Sequence, residues 1–180
     1  MREVSLENVW TYFGRCWIVI PTNCGWTKTA KDDPALPCGP NPMGAGLAKE
    51  AAARDPLLPQ VYGLFCYYNR DERLVSYRPQ TALIWFPTKP LNTRNPHLSW
   101  KSKANLEWID RAACELAALD LPLKDDLPRM FGGAAKLKHD DVLVPAVGTG
   151  SGGLSEDQVL PILHDRLTSD RFVYVRWRPF

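Results

Sequence analysis

The most chemically informative part of the sequence is a glycine-rich run that reads GTGSGG over residues 148–153. It lies between an apolar run and a helical pattern, where missing side chains leave main-chain N–H groups at a helix N-terminus open to phosphate oxygens. A flexible strand-to-helix turn is the alternative, although five small residues in six exceed what a turn requires. No Gly-Lys-Ser/Thr follows, which excludes a P-loop, and a Rossmann fingerprint belongs to the first strand of its unit. We predict a phosphate site.

A second glycine-rich helix start reads MGAGL over residues 43–47 and follows a predicted strand whose end carries Asn23. Two helix N-termini at one edge of a sheet can hold a diphosphate between them, because each offers unpaired N–H groups to anions. Ordinary glycines at a helix entrance explain this second motif equally well. The two runs together therefore indicate a diphosphate site more strongly than either does alone.

The motif FPTK, residues 86–89, ends a predicted strand with Lys89. An amine beside a phosphate-binding cleft can pair with anions or, when it is desolvated, attack the carbonyl-like carbon of a sugar. The sequence alone favours the alternative, a solvated lysine at the start of a loop. Its chemistry depends on where the fold places it.

Other catalytic chemistries have weaker support. Cys24 follows Asn23 in the predicted cleft, but no partner base for a thiol nucleophile can be placed. The three histidines are far apart and lack metal-ligand spacing, so we predict no metal site and no cofactor. Trp26 and Trp100 fall in irregular segments, where an indole ring can stack on a base.

Short apolar runs alternate with longer helical patterns, which predicts an α/β fold whose sheet is covered on both faces. The predicted buried strands are residues 16–22, 81–86, 142–147 and 172–177. The predicted helices are residues 45–54, residues 102–119 behind a serine cap, and a helix that begins at the capping box of Ser155. Irregular stretches are predicted at residues 27–42 and 90–100, with a short helix around residues 127–137.

Composition narrows the class of protein. The 180 residues suit one domain, residues 1–180, and 45% hydrophobic content with a net charge of +2 indicates a globular chain that neither requires nor repels a polyanion. Five cysteines without a C-x-x-C pair favour a reducing cytoplasm. The acidic amino terminus and the lack of long apolar stretches predict neither secretion nor membrane insertion. A monomer is expected.

The order of the motifs is more specific than any one of them: PTNC at 21–24, MGAGLA at 43–48, FPTK at 86–89 and PAVGTGSGGL at 145–154. In this order they resemble the macrodomain family, which binds ADP-ribose. Within that family they look most like the DNA ADP-ribosyl glycohydrolase antitoxins of the DarG type. The resemblance spans residues 16–168 and implies a single three-layer α/β/α macrodomain with a mixed central sheet, in which residues 27–42 are an insertion beside the ligand cleft.

The resemblance also implies which residues contact ADP-ribose. Asn23 contacts the distal ribose, residues 44–47 line the distal ribose and the diphosphate, residues 148–154 cradle the diphosphate, and Asn8 stands where relatives bind adenine. The implied ligand-binding residues are Asn23, Met43, Gly44, Ala45, Gly46, Leu47, Pro87, Thr88, Val147, Gly148, Thr149, Gly150, Ser151, Gly152, Gly153 and Leu154. Lys89 matches the catalytic lysine of the DarG branch, which attacks or stabilises the anomeric carbon of the distal ribose.

The implied function is hydrolysis that removes ADP-ribose from a modified nucleobase in DNA or RNA, with single-stranded DNA as a candidate partner. Two alternatives stay open: a non-catalytic ADP-ribose reader or sink, and a hydrolase or phosphatase acting on a free ADP-ribose derivative. Gly152 replaces the acidic residue of relatives that act on protein carboxylate esters, so their two-residue mechanism does not transfer. Basic residues that either hold a nucleic acid backbone or form a solvated surface are Arg94, Lys101, Lys103, Lys136 and Lys138.

Overall fold

A computed structural model describes residues 1–28, 36–70, 72–122, 137–138 and 140–177. Six strands form one sheet: β1 (Arg2–Leu6), β2 (Trp17–Asn23), β3 (Ser76–Arg78), β4 (Leu83–Lys89), β5 (Val142–Pro145) and β6 (Phe172–Trp177). Their order across the sheet is β1-β6-β5-β2-β4-β3. All neighbours pair in parallel except β3, which is antiparallel to β4. The sheet is therefore mixed, with β2 near its centre.

In the described ranges, four α-helices pack on the sheet: α1 (Gly46–Arg54), α2 (Leu58–Asn69), α3 (Leu106–Ala117) and α4 (Glu156–Arg166). Short 3-10 helices occupy Val9–Tyr12, Pro96–Lys101 and Gly150–Gly152. No helix in the part of the chain that the structure describes is long and apolar enough to span a bilayer.

Successive strand residues point to opposite faces of the sheet and so supply two separate cores. On β2, Trp17 and Val19 pack with α3 and α4, whereas Ile18 and Ile20 pack with α1 and α2. All four side chains are almost completely buried. The prediction of a sheet covered on both faces is confirmed, and the architecture is three-layered α/β/α.

The four predicted strands are present, because continuous apolar runs suit strands buried on both faces. The structure ends β5 at Pro145 and extends β4 to Lys89, three residues beyond the prediction. The helices predicted at residues 45–54 and after Ser155 are also present, and Ser155 donates its N–H to Gln158 as a capping box requires. Residues 123–136 lie outside the described part of the chain and include most of the predicted helix at 127–137.

The predicted serine cap on α3 is wrong. Asn105 caps the helix, since its side-chain oxygen accepts hydrogen bonds from the N–H groups of Glu107 and Trp108 at 2.8 and 3.2 Å. Ser102 instead closes the preceding 3-10 helix by donating its N–H to the carbonyl of Ser99. This 3-10 helix, Pro96–Lys101, falls almost entirely within residues 90–100, the stretch that was predicted to be irregular.

Candidate functional site

The functional motifs meet at the side of the sheet where the carboxyl ends of β2, β4 and β5 lie, here called the carboxyl edge. Strands β4 and β5 flank β2 in parallel, so their carboxyl ends and the segments that follow them lie together. This edge carries Asn23 at the end of β2, Lys89 at the end of β4 and the glycine run after β5. Ligands of open parallel sheets bind outside such carboxyl ends.

A pair of buried asparagines shapes the floor of this edge. Asn41 is 2% exposed and donates from its side-chain amide to the carbonyls of Asn23 and Gly25, at 2.9 and 2.6 Å. The side-chain oxygen of Asn23 accepts from the N–H of Gly25 at 2.9 Å, and its amide donates to the carbonyl of Pro42 at 3.3 Å. These bonds hold together the end of β2 and the segment that leads to α1.

Gly25 makes the sharp turn after β2 possible. A Cβ atom at this position would lie 2.1 Å from the carbonyl oxygen of Pro96 and 2.8 Å from the Cβ of Ser99. Only glycine allows the chain to pass so close to the 3-10 helix that follows β4. The turn after β2 and the loop after β4 are therefore packed directly against each other.

Lys89 is held by two main-chain carbonyls. Its Nζ donates to the carbonyl oxygen of Trp100 at 2.8 Å and to that of Ser151 at 3.1 Å. The first carbonyl belongs to the loop after β4, and the second belongs to the glycine run after β5. The amine is thus fixed between the two segments that border the edge of the sheet.

Burial also changes the chemistry of this amine. Partial removal from water lowers the pKa of Lys89 below its ordinary value, because desolvation disfavours the charged ammonium. A neutral amine has two N–H bonds, enough for the carbonyls of Trp100 and Ser151. The arrangement suits a nucleophile held in a fixed orientation.

The glycine run after β5 is packed on one side and open on the other. A Cβ at Gly148 would lie 2.7 Å from the Cδ1 of Ile109, and one at Gly152 would lie 2.9 Å from the Cβ of Ala104. Gly150 and Gly153 have positive φ angles of 60° and 78° and no heavy atom within 4 Å of an added Cβ. The run rests on α3 and presents its bare backbone to open space.

Unpaired N–H groups line this open side. Those of Thr149, Gly150 and Ser151 donate to no acceptor among the residues that the structure describes. A hydrogen bond within the run fixes its conformation: the N–H of Leu154 donates to the carbonyl oxygen of Gly148 at 3.2 Å. Consecutive free N–H groups of this kind form an anion-binding concavity.

The start of α1 offers a second set of free donors. Its capping residue, Ala45, has no side chain that can accept a hydrogen bond, so the first N–H groups of the helix lack a protein partner within the described ranges. Gly44, Ala45 and Gly46 are exposed, and an added Cβ at Gly44 or Gly46 would meet nothing within 4 Å. This helix start, like the glycine run, is open to an anion.

Solved structures with a similar fold include DarG macrodomains. The macrodomain of Thermus aquaticus DarG is 18% identical to this chain, with a TM-score of 0.61 over 98% of both chains. That of Mycobacterium tuberculosis DarG is 19% identical, with a TM-score of 0.59 over 98% of both. The chain has the macrodomain fold. Scans of family models and of curated protein sequences give no match.

A third similar structure is Thermosipho africanus DarTG in complex with ADP-ribose, at 17% identity and a TM-score of 0.60. The alignment covers 97% of this chain but 42% of that one. At these identities the likeness concerns the fold. The predicted resemblance to DarG-type macrodomains is confirmed at that level.

Several predicted ligand contacts have buried side chains in this chain. Met43 and Val147 pack in the two cores, and Thr88 is 3% exposed. The Thr88 hydroxyl donates to the carbonyl of Thr22 at 3.3 Å, and its own carbonyl accepts from the N–H of Asn105 at 3.0 Å. Thr88 thus ties β4 to β2 and α3. Other predicted contacts that are buried or half-buried are Leu47, Pro87, Gly148, Thr149, Gly152 and Leu154.

Two further predicted residues have local structural roles. Asn8 is exposed beyond β1, and its side-chain oxygen accepts from the N–H of Trp10 at 2.9 Å to cap a 3-10 helix. Its contact with adenine stays a prediction. Cys24 is 2% exposed, and its main-chain N–H donates to the carbonyl of Lys89 at 3.2 Å.

The predicted basic residues separate into two groups. Arg94, Lys101 and Lys103 are exposed in the loop after β4, at the edge that carries the site. Lys138 lies before β5, at the opposite edge of the sheet, where its N–H donates to Asp141 at 2.7 Å. Because β5 lies between Lys138 and the carboxyl ends of the strands, we do not group Lys138 with the loop after β4. Lys136 is outside the described residues, as are residues 29–35 of the predicted insertion.

Sequence reasoning missed the roles of Asn41 and of the carbonyls of Trp100 and Ser151. A buried asparagine has no periodic signature, and carbonyl positions depend on tertiary packing. In the described part of the chain, no group of three or more histidine, cysteine or acidic residues could hold a metal ion.

Proposed function

We propose that this macrodomain binds ADP-ribose at the carboxyl edge of β2, β4 and β5 and removes it from a modified nucleobase in DNA or RNA through Lys89. The observation that carries the proposal is the position of the Lys89 amine, which donates at 3.1 Å to the carbonyl of Ser151 within the glycine run. A ligand whose diphosphate occupies that run has its adjoining ribose next to the amine.

Two features of the edge support binding of a diphosphate. The open N–H groups of Thr149, Gly150 and Ser151 provide one anion site, and the uncapped first turn of α1 provides another. The exposed glycines Gly44 and Gly150 let ligand atoms approach the backbone on both sides. The similarity to a DarTG structure solved in complex with ADP-ribose supports ADP-ribose as the ligand.

Lys89 supplies the chemistry of bond cleavage. Its amine attacks the anomeric carbon of the distal ribose or stabilises the developing positive charge there, while the bond to the nucleobase breaks and the base leaves with the electron pair. Water then delivers a hydroxyl group to the anomeric carbon and a proton to the base. If the amine has attacked, this step also breaks the bond between the Lys89 nitrogen and the anomeric carbon and returns the electron pair to the amine. The lowered pKa of Lys89 favours the nucleophilic role, because it increases the neutral fraction of the amine.

The packing at Gly152 supports a mechanism based on lysine rather than on an acid. An added Cβ would lie 2.9 Å from the Cβ of Ala104, which belongs to the segment before α3. The N–H of Ala104 in turn donates to the carbonyl of Gly152 at 3.0 Å, so the two segments are fixed in contact. An acidic side chain at this position does not fit without moving the backbone.

The alternatives differ in which ligand is turned over. A reader or sink binds ADP-ribose without cleaving any linkage, and an enzyme of free nucleotides acts on ADP-ribose phosphate or another small derivative. Calorimetry with ADP-ribose first tests the binding site. Turnover is then compared on three substrates: ADP-ribosylated single-stranded DNA, a protein ADP-ribosylated on carboxylates, and ADP-ribose 1″-phosphate.

Binding together with preferential release of ADP-ribose from DNA supports the proposal. Binding without turnover of any of the three substrates favours the reader, and preferential turnover of the phosphate favours the enzyme of free nucleotides. No binding of ADP-ribose contradicts the proposed ligand.

A further inference from the structure

The loop after β4 has an unusual composition for a segment that borders a ligand site. Residues 91–103, here called the Trp100 segment, contain three basic residues and no acidic one. All three, Arg94, Lys101 and Lys103, are exposed. In a chain with 22 basic and 20 acidic residues, this segment is a local concentration of positive charge.

Trp100 is the exposed aromatic residue of this segment. It is 48% exposed, although tryptophan is usually largely buried, and the Nζ of Lys101 lies 5.4 Å from the centre of its ring. A large exposed ring adjoining a cation offers both stacking area and charge. Aromatic and basic side chains are combined in this way where proteins bind single-stranded nucleic acid.

The backbone that carries Trp100 is firmly held. Ser99 is completely buried, and its hydroxyl accepts from the N–H of Asn92 at 2.9 Å. The carbonyl of Pro96 and the Cβ of Ser99 lie so close to Gly25 that no side chain fits there. The ring is therefore presented from a fixed 3-10 helix, which limits the entropy lost when a base stacks on it.

The same residue also contacts the reactive amine. The carbonyl of Trp100 accepts the 2.8 Å hydrogen bond from the Nζ of Lys89. A base stacked on the indole thus lies on the residue whose carbonyl holds the amine that acts on the modified nucleotide. Proteins that bind single strands stack successive bases on aromatic side chains in this way.

We infer that Trp100 stacks on the nucleobase next to the ADP-ribosylated nucleotide, and that Arg94, Lys101 and Lys103 contact the phosphates of the same single strand. This inference rests on the proposed function and assigns its specificity for a polynucleotide to the Trp100 segment. Single-stranded nucleic acid fits better than a protein partner, because the segment pairs an exposed indole with three cations and lacks acidic residues.

Fluorescence anisotropy with a short labelled single-stranded DNA oligonucleotide tests the stacking. Trp100→Ala is expected to weaken binding roughly 5- to 150-fold, the range for loss of one stacked base, whereas Trp100→Phe is expected to keep most of the affinity. Tyr68→Ala is the matched control, since Tyr68 is 71% exposed on α2 and takes no part in the site. It is expected to bind like the parent.

Salt dependence tests the phosphate contacts. For a single strand, each contact adds about 0.7 to the slope of log affinity against log salt, so the double variant Lys101→Ala/Lys103→Ala is expected to lose about 1.4 from that slope. Lys138→Ala removes an exposed lysine at the opposite edge of the sheet and is expected to leave the slope unchanged.

Calorimetry with free ADP-ribose on the same proteins separates this inference from the proposed function. If ADP-ribose binds but Trp100→Ala and the parent bind the oligonucleotide equally, the inference is wrong and the proposed function stands. If ADP-ribose does not bind, the proposed function fails, whatever the oligonucleotide does. Equal weakening of ADP-ribose and oligonucleotide binding in Trp100→Ala and Trp100→Phe indicates a merely structural role and also overturns the inference.

Discussion

The amine of Lys89 donates a 3.1 Å hydrogen bond to the carbonyl of Ser151, 62 positions further along the chain. This bond joins the end of β4 to the glycine run after β5, although β2 lies between these strands in the sheet. It places the one chemically reactive group of the proposed mechanism at the border of the proposed diphosphate site.

The first prediction concerns the pH dependence of turnover. Burial lowers the pKa of Lys89, so the neutral amine forms at lower pH than it does in a solvated lysine. If the amine is the nucleophile, kcat increases by up to about tenfold per pH unit below that pKa and reaches a plateau above it. Measured kcat on ADP-ribosylated DNA across the pH range tests this, with circular dichroism as the control for folding.

The opposite slope has a different meaning. If kcat falls as pH rises through the same range, the charged ammonium is the active form, and Lys89 acts by donating a proton or a hydrogen bond to the departing base. The effect of Lys89 on the pH dependence of folding stability does not depend on its catalytic role. Because the folded state has the lower pKa, the unfolded state binds more protons there, and this lysine's contribution to stability improves as pH rises.

The second prediction separates backbone strain from ligand contact. Gly150→Ala and Gly14→Ala each place a Cβ on a residue with positive φ, 60° and 74° respectively, and neither Cβ meets a heavy atom within 4 Å. Both variants are expected to lose about 1 kcal/mol of stability. Only Gly150→Ala is expected to weaken ADP-ribose binding, by about tenfold or 1.4 kcal/mol, because Gly14 lies before β2 at the opposite edge.

Denaturant unfolding and calorimetry measure the two effects separately. Equal ADP-ribose affinities for Gly150→Ala and Gly14→Ala would mean that the open side of the glycine run does not face the ligand. That result would remove the argument for a diphosphate at residues 148–153.

The third prediction concerns the buried asparagine pair. Asn41→Ala leaves the carbonyls of Asn23 and Gly25 without their side-chain donor, and a buried unsatisfied group costs about 1–3 kcal/mol. We expect the free energy of unfolding to fall by about 2–4 kcal/mol in urea titrations. Asn95→Ala is the control, because this exposed residue is expected to change stability by less than about 0.5 kcal/mol. Similar losses in both variants would contradict the role of Asn41.

The central strands were predictable because their burial on both faces leaves continuous apolar runs, as in β6 (Phe172–Trp177), whose bounds match the prediction. β1 (Arg2–Leu6) was missed because half-buried and exposed residues alternate in this edge strand, so it has no continuous apolar run. β3 (Ser76–Arg78) was missed because a strand of three residues is too short to show a periodic pattern. α2 (Leu58–Asn69) was missed as well, since its aromatic residues and Gly63 are weak helix formers. Its glycine allows contact with residues 39–41, which only the folded chain reveals.

The site was predictable as a set of motifs but not as a set of contacts. Strand-end and helix-start signals identified Asn23, Lys89 and the glycine runs, because local sequence determines those features. The Asn41 amide and the two carbonyl acceptors of Lys89 come from segments far apart in sequence. Their roles follow from strand order and loop packing, which local patterns do not encode.

The most direct test of the account is release of ADP-ribose from ADP-ribosylated single-stranded DNA by the parent, Lys89→Ala and Lys89→Arg. We predict that both variants lose at least about 100-fold in kcat, because neither has a neutral amine at the end of β4, while their affinity for free ADP-ribose stays within about threefold of the parent. Turnover by Lys89→Ala at the rate of the parent would contradict the central role of Lys89.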